Sequence, residues 1–401
     1  MYLFFRKNVI IYSQKEEARD TMNKYKWDFK EIRDSRNKLI EMYNKASIED
    51  KPEIKQMIEL YGNMLMYARE KEENSKVFDD IFQGLSTMDL ITEVSWSYIE
   101  KNLEILDTIL KAYTTVNENF IAVADEDPKV ICTNDEIINI TKDFFKKMTP
   151  SYIYEEFLEE LNNNKNFLNI SYSKKNGEYG GVTIFDAILN KKYVSVSRNN
   201  CLFDIVTLPH EMFHYLFNDT NVGILGCHNT YYLTEVEGSF ANILFGEYFK
   251  ENSTYNNLYF IRRFLNSFQG EMDDLAVRNQ LLDSIKNNNK IRLNKLNKFM
   301  HYYNINKFEK TEDINKYLET PQEIVMKYTL SYLTALDLYY IYLKDREFAF
   351  YLLKNIRFVK EDDDIIGVLR RNHITFMDDD YENYKKYTKK LILEEHKYEK
   401  V

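Results

Sequence analysis

The chain has 401 residues and a formal net charge of −10, with 64 acidic residues against 54 Lys and Arg. Its 44% apolar and 29% charged residues are the makeup of a folded protein, and its length accommodates two or three lobes. Eleven Gly and five Pro are too few for a turn-rich β architecture, the acidic balance without a basic stripe excludes nucleic acid as a natural partner, and no run of 18 apolar residues offers a membrane span.

The apolar start, Met1 to Tyr12, is broken by Arg6 and Lys7, so it has no h-region of signal-peptide length. Cys132, Cys201 and Cys227 are an odd number at no ligand-like spacing, which disfavours a disulfide framework. Together these lead to the expectation of a cytoplasmic protein. Oligomeric state is not legible from the residues.

Ser13 with Glu16 three residues on has the pattern of a capping box and opens a charged periodic segment reaching about Ser47, expected as one long helix. Pro52 suits a first helical turn, after which Ile54, Met57, Ile58, Tyr61, Met64, Leu65 and Ala68 recur at helical spacing. Ile91, Val94, Tyr98, Ile99, Leu103 and Leu106 continue that period, and Thr133 or Asn134 is placed to cap a helix running towards Pro150. Residues 1–160 are therefore expected to form a helical N-terminal lobe.

At Leu161 the texture changes, because Asn162, Asn163 and Asn164 end the helical pattern and short β-prone runs begin. Phe167 to Ser173 alternates like a strand, and Val182 to Phe185 followed by Tyr193 to Val196 reads as a hairpin around Asn190. Helical periodicity returns at Phe203 and dominates to the C-terminus. The fold class is mainly α, with a second lobe over 161–401 that carries a small sheet at about 167–197.

The chemistry is concentrated in Thr207 to Phe217, which contains His-Glu-x-x-His within an apolar helical run. Residues four apart share a helix face, so His210 and His214 are both able to bind one zinc ion, while Glu211 lies beside the metal as a general base rather than a ligand. Pro209 fits a first helical turn, and Val206, Leu208, Met212, Phe213, Leu216 and Phe217 are expected to wall the site from water. Downstream, Glu235 and Glu237 are candidates for the third ligand on a further helix. Glu235 is preferred because Gly238 and Ala241 extend a small face beside it, leaving Glu237 facing solvent or substrate. Cys227 and His228 are rival ligands in the intervening loop.

These residues resemble the zinc oligopeptidases of the oligoendopeptidase F and thimet oligopeptidase type. Members carry a Thr-Leu-x-His-Glu-x-Gly-His helix followed by a Glu-Val-Ala-Ser-type helix. This chain has Thr207-Leu-Pro-His-Glu-Met-Phe-His and then Thr234-Glu-Val-Glu-Gly-Ser-Phe. The resemblance implies His210, His214 and Glu235 as ligands of one zinc and Glu211 as the base. Lys175 to Tyr179 is similar to a Lys-x-x-Gly-Ala-Tyr turn of the family, and Met326 to Ala335 to a downstream helix, giving coverage of about residues 165–345. The chain departs from the pattern at Phe213 and Phe217, where members have Gly and often His, and it is shorter than they are.

The resemblance implies a His or Tyr that supports the oxyanion. His301, Tyr302, Tyr303, Tyr317, Tyr328 and Tyr332 are candidates, of which Tyr328 and Tyr332 share a helix face in the family-like segment. Gly180 and Gly181 in the strand before the metal helix allow close approach of an extended peptide, or simply a bulge in the sheet. A helical lobe facing a catalytic lobe, as the resemblance implies, selects short unfolded peptides. Three other readings stay open: a peptidase-like peptide-binding protein without turnover, a helical interaction protein with an accidental motif, and a zinc enzyme acting on another bond.

Overall fold

The computed structural model describes residues 27–47, 130–163, 166–172, 180–186, 191–217, 232–252, 322–356 and 364–398, with 51, 54, 55, 57, 58, 61, 108, 109, 111 and 112. The Ser13 capping box, the Ile91 to Leu106 period, the Lys175 to Tyr179 turn, and His228, His301, Tyr302, Tyr303 and Tyr317 lie outside these residues. Among the described residues the protein is mainly helical with one three-stranded sheet, as the sequence pattern leads one to expect.

Two compact units emerge from the chain, one of residues 1–81, 127–227 and 247–254, the other of 82–126, 228–246 and 255–401. In the first unit, α1 (Phe29–Lys45) starts where Asp28 accepts N–H bonds from Lys30 and Glu31. The helix expected from Ser13 to about Ser47 therefore does not include Trp27 and Asp28, because Asp28 in extended conformation satisfies the free N–H groups at the start of α1. Lys51, Ile54, Lys55, Met57, Ile58 and Tyr61 are helical, as their spacing predicts, and the last three apolar side chains are buried.

Helix α2 (Asn134–Met148) carries the anticipated cap as a complete capping box between Thr133 and Glu136. Pro150 separates it from α3 (Ser151–Asn163). The strands β1 (Leu168–Tyr172), β2 (Gly180–Asp186) and β3 (Lys191–Arg198) follow in the spatial order β1-β3-β2. The expected hairpin is present as the antiparallel β2–β3 pair, and β1 joins the other edge of β3 in parallel. Trp27 donates its indole N–H to the Phe167 carbonyl at 3.0 Å, Lys191 pairs with Glu31, and Trp27 meets Tyr193 edge to face, tying the start of α1 to the sheet.

Helix α4 (Asp204–Phe217) packs on β2, β3 and α2. Helix α5 (Val236–Asn252) comes next in the described chain, and its residues fall in both units.

The second unit holds α6 (Gln322–Tyr342), α7 (Arg346–Asn355), α8 (Ile365–Arg371) and α9 (Glu382–Tyr398). Asp345 and Asp364 accept from backbone N–H groups at the starts of α7 and α8. Phe240 packs edge to face on Tyr342 and Phe350, which joins α5 to α6 and α7 through aromatic rings. Among the described residues no helix is long and apolar enough to cross a membrane.

Candidate metal centre

Asp204 sets the start of the motif helix. Its carboxylate accepts the backbone N–H groups of Asn199 and Cys201, so the loop from Asn199, with Asn200 at a φ of 58°, is held against the first turn of α4. Burial pushes this carboxyl above the usual carboxylate range, and the donors from Asn199 and Cys201 partly offset that. Because α4 begins at Asp204, Pro209 is an interior residue rather than the first-turn residue expected. It has no N–H to give the Ile205 carbonyl four residues earlier, and its neighbours in a fully packed helix over-determine the conformation instead.

That packing is aromatic and aliphatic. Phe213, which stands where a Gly is expected from the resemblance, is fully buried with its ring 5.4 Å from Phe145 and 6.1 Å from Phe144 of α2. Phe217 lies against Phe213 at 5.4 Å. At the far end, Lys192 donates to the Tyr215 carbonyl at 2.7 Å and Tyr215 donates its hydroxyl to Glu160 at 2.6 Å. The helix is therefore fixed at both ends, so its polar face is held in place by contacts on its apolar one.

On that polar face, His210 and His214 turn their rings towards each other, with centroids 4.8 Å apart and Nε2 atoms 3.1 Å apart. A tetrahedral zinc at about 2.0–2.1 Å from each nitrogen spaces two of them by roughly 3.3 Å, so the pair is close to the arrangement such an ion needs. Glu211, between them in sequence, is only 5% exposed. Its Oε2 accepts the Thr183 hydroxyl at 2.7 Å, and the same hydroxyl lies 2.9 Å from the Glu211 backbone carbonyl. Gly181, two residues before Thr183 on the same face of β2, stands so close that a Cβ there would meet Glu211 Cγ at 2.4 Å. Gly180 has a φ of +151°, a conformation that side chains rarely adopt.

Glu235 sits in the turn Tyr232 to Glu235, one residue ahead of α5, rather than within the helix, and its carbonyl accepts from Ser239. Lys327 of α6 donates to Glu235 Oε1 at 3.0 Å, and its ammonium lies 4.6 Å from the centroid of the Tyr328 ring. Glu237, expected to face solvent or substrate, is 0% exposed and so does not face solvent. Tyr328 is 37% exposed and Tyr332 half-buried, both on α6. His210 and His214 each offer an imidazole nitrogen on one face of α4 in the first unit, whereas Glu235 belongs to the second. The donor set of two imidazoles and a carboxylate suits zinc.

Thr183 and Lys327 escaped the sequence reading. Thr183 carried a weak signal as a polar residue on the helix-facing side of a strand rich in β-branched residues, whereas nothing near Lys327 in sequence singles it out.

No family model and no curated protein matches this sequence. Solved structures do. A protein of Chlamydophila abortus assigned as a peptidase aligns over 83% of this chain and 59% of its own, at 14% identity and a TM-score of 0.50. PZ peptidase A with inhibitor 2 aligns over 93% of this chain and 67% of its own, at 14% identity and a TM-score of 0.47. A Bacillus anthracis str. Ames protein assigned as an oligoendopeptidase F aligns over 88% and 64%, at 14% identity and a TM-score of 0.41. The chain spans 59% of the length of the first of these and 67% of the second. At such identity the likeness is one of architecture, and the chain shares its fold with the Chlamydophila abortus peptidase structure.

Proposed function

We propose that the chain is a zinc-dependent endopeptidase of the oligopeptidase type, which hydrolyses peptide bonds in short peptides. His210, His214 and Glu235 would hold one zinc ion per chain. The observation that carries this reading is the pairing of the His210 and His214 imidazoles on one helix, where Glu211 between them in sequence is a nearly buried carboxylate held by Thr183. When bound, zinc supplies Lewis acidity that brings a bound water near neutral pKa and polarises a carbonyl.

The chain's own residues do the rest. Glu211 takes the proton of the attacking water on its carboxylate and returns it to the leaving amine nitrogen, so its charge is restored after each cycle. Glu211 is itself nearly buried, and a fixed carboxylate withdrawn from water acts more strongly than a solvated one. Tyr328 and Tyr332 are the phenols assigned to the developing oxyanion, and the exposure of Tyr328 leaves it accessible to a substrate. Gly180 and Gly181 are assigned to close approach of an extended peptide along β2.

The test combines metal analysis with cleavage of a quenched-fluorescent mixed peptide library by wild type and Glu211→Ala. The expected result is about one zinc per chain in both proteins and cleavage by wild type only. Metal-free protein from zinc-supplemented expression would overturn the metal centre. Zinc without cleavage would instead support a peptide-binding protein of this fold.

A further inference from the structure

The seat of Glu211 is built by a strand 28 residues away in sequence, and its parts have separable jobs. The register fixes them: Thr183 is opposite Val194 and Gly181 opposite Val196, both fully buried on β3, so neither residue can shift along β2 without breaking the ladder. Gly181 and Thr183 are two apart and face α4 together. Thr183 has one hydroxyl hydrogen and two acceptors within reach, Glu211 Oε2 at 2.7 Å and the Glu211 carbonyl at 2.9 Å. An ionised carboxylate is the stronger acceptor, so the hydrogen goes to Oε2. The other oxygen, Oε1, occupies the space over Gly181, 2.6 Å from where a Cβ would stand.

We infer that Thr183 is the positioning residue of the general base: its hydroxyl anchors Oε2 of Glu211, and the side-chain-free Gly181 leaves Oε1 as the oxygen that carries the proton. This rests on the reading of Glu211 as base. The proton balance closes on one atom. Water gives its proton to Oε1, making the carboxylic acid with Oε2 as its carbonyl oxygen. Oε2 still accepts from Thr183 in that state, so the side chain keeps its place while the proton waits for the leaving nitrogen. A carboxylate without this anchor would be free to rotate and present either oxygen, losing the alignment on which proton transfer depends.

The experiment compares Thr183→Val, which keeps the shape and removes the hydroxyl, with Thr183→Ser, which keeps the hydroxyl. Thr183→Ala is the second hydroxyl-free variant should the valine protein not fold. All are zinc-loaded, checked for metal content and thermal unfolding, assayed on one cleaved peptide and crystallised. Loss of the anchor is expected to lower kcat by about 10- to 100-fold with KM and zinc content unchanged. The serine variant should keep wild-type kcat to within a few-fold. In the crystal, the Glu211 carboxylate should leave the β2 seat in the valine or alanine protein and stay in it in the serine protein. Unchanged kcat in the hydroxyl-free variants, an equal loss in the serine variant, or a carboxylate that stays seated without the hydroxyl would each overturn the inference while leaving the peptidase assignment standing. A wild-type protein that cleaves nothing would bring down the assignment itself, and this inference with it.

Discussion

A side chain on Gly181 and the present position of Glu211 exclude each other, because a Cβ on Gly181 would sit 2.4 Å from Glu211 Cγ and 2.7 Å from its Cδ. The strand and the motif helix have been brought to a separation at which only glycine fits, and what fills the gap is the carboxylate itself.

Gly181→Ala is therefore expected to displace the carboxylate rather than the strand, since the obstructing atoms belong to the end of a flexible side chain while β2 is locked in register with β3. Overpacking of this kind costs about 1–3 kcal/mol. Cleavage should fall by about 100-fold, the scale associated with a misplacement of about 1 Å. Thermal unfolding and peptide turnover measured on the same preparation check this. A fully active, equally stable alanine variant would show that the carboxylate works from another position.

Lys327 and Glu235 offer a second test, on metal affinity rather than rate. Both side chains are mostly buried, and the ammonium holds Oε1 of the carboxylate assigned to zinc. A cation there competes with a dication for the same oxygens. Lys327→Met should tighten zinc binding by about tenfold, because the repulsion between an ammonium and a dication a few ångströms apart is on the order of 1–2 kcal/mol even at high dielectric. It should also destabilise the metal-free protein by about 1–3 kcal/mol, because a largely buried carboxylate loses that counter-charge. Competition against a chromophoric chelator gives the affinity. Weaker binding in the variant would mean that Lys327 orients Glu235 instead of competing for it.

Metal removal makes a third prediction. A ligand that binds only the native chain stabilises it by RT ln(1 + [L]/Kd), about 4 kcal/mol when free metal is a thousand times the dissociation constant. Chelation should lower Tm by several degrees, and zinc should restore it. The double variant His210→Ala with His214→Ala should have the lower Tm with or without chelator. Identical melting curves for wild type before and after chelation would contradict a resident metal.

What could be read in advance was what depends on neighbours in sequence. The His210, Glu211 and His214 spacing is a property of one helix, the cap at Thr133 or Asn134 is set by residues at the helix start, and the β2–β3 hairpin announces itself by alternation around a turn. Local signals also misled where a tertiary contact outweighed them. Asp28 starts a helix inside a segment whose periodicity runs on, and Asp204 draws the start of α4 back so that Pro209 falls inside it. The parallel placing of β1 on β3, the Thr183 seat and the Lys327 pair join residues 26, 28 and 92 positions apart. No periodicity encodes such distances. The sequence pattern also placed Glu235 within a helix, whereas it occupies the turn ahead of α5.

A last prediction concerns pH and a carboxyl outside the motif. Asp337 on α6 is buried, accepts the Thr375 N–H and the Asn383 amide each at 2.8 Å, and has its pKa raised to about 6, first by burial and further by the nearby Asp379, while its hydrogen bonds act the other way. Its folded pKa lies above that of the unfolded chain, so protonation favours the fold. The stability it contributes is fully present below about pH 4 and is lost as pH rises through about 6. A difference of roughly two pKa units corresponds to about 3 kcal/mol at most. Asp337→Asn cannot titrate and keeps one acceptor for the two donors. The stability of wild type relative to this variant, from urea unfolding at pH 4.5 and pH 7, should therefore be greater at the lower pH. The remaining carboxylates, including Asp378, whose pKa is lowered by Arg370, titrate in both proteins and cancel in the comparison. Parallel stability curves across that range would show that Asp337 is ionised in the folded protein throughout, and that its donors outweigh its burial.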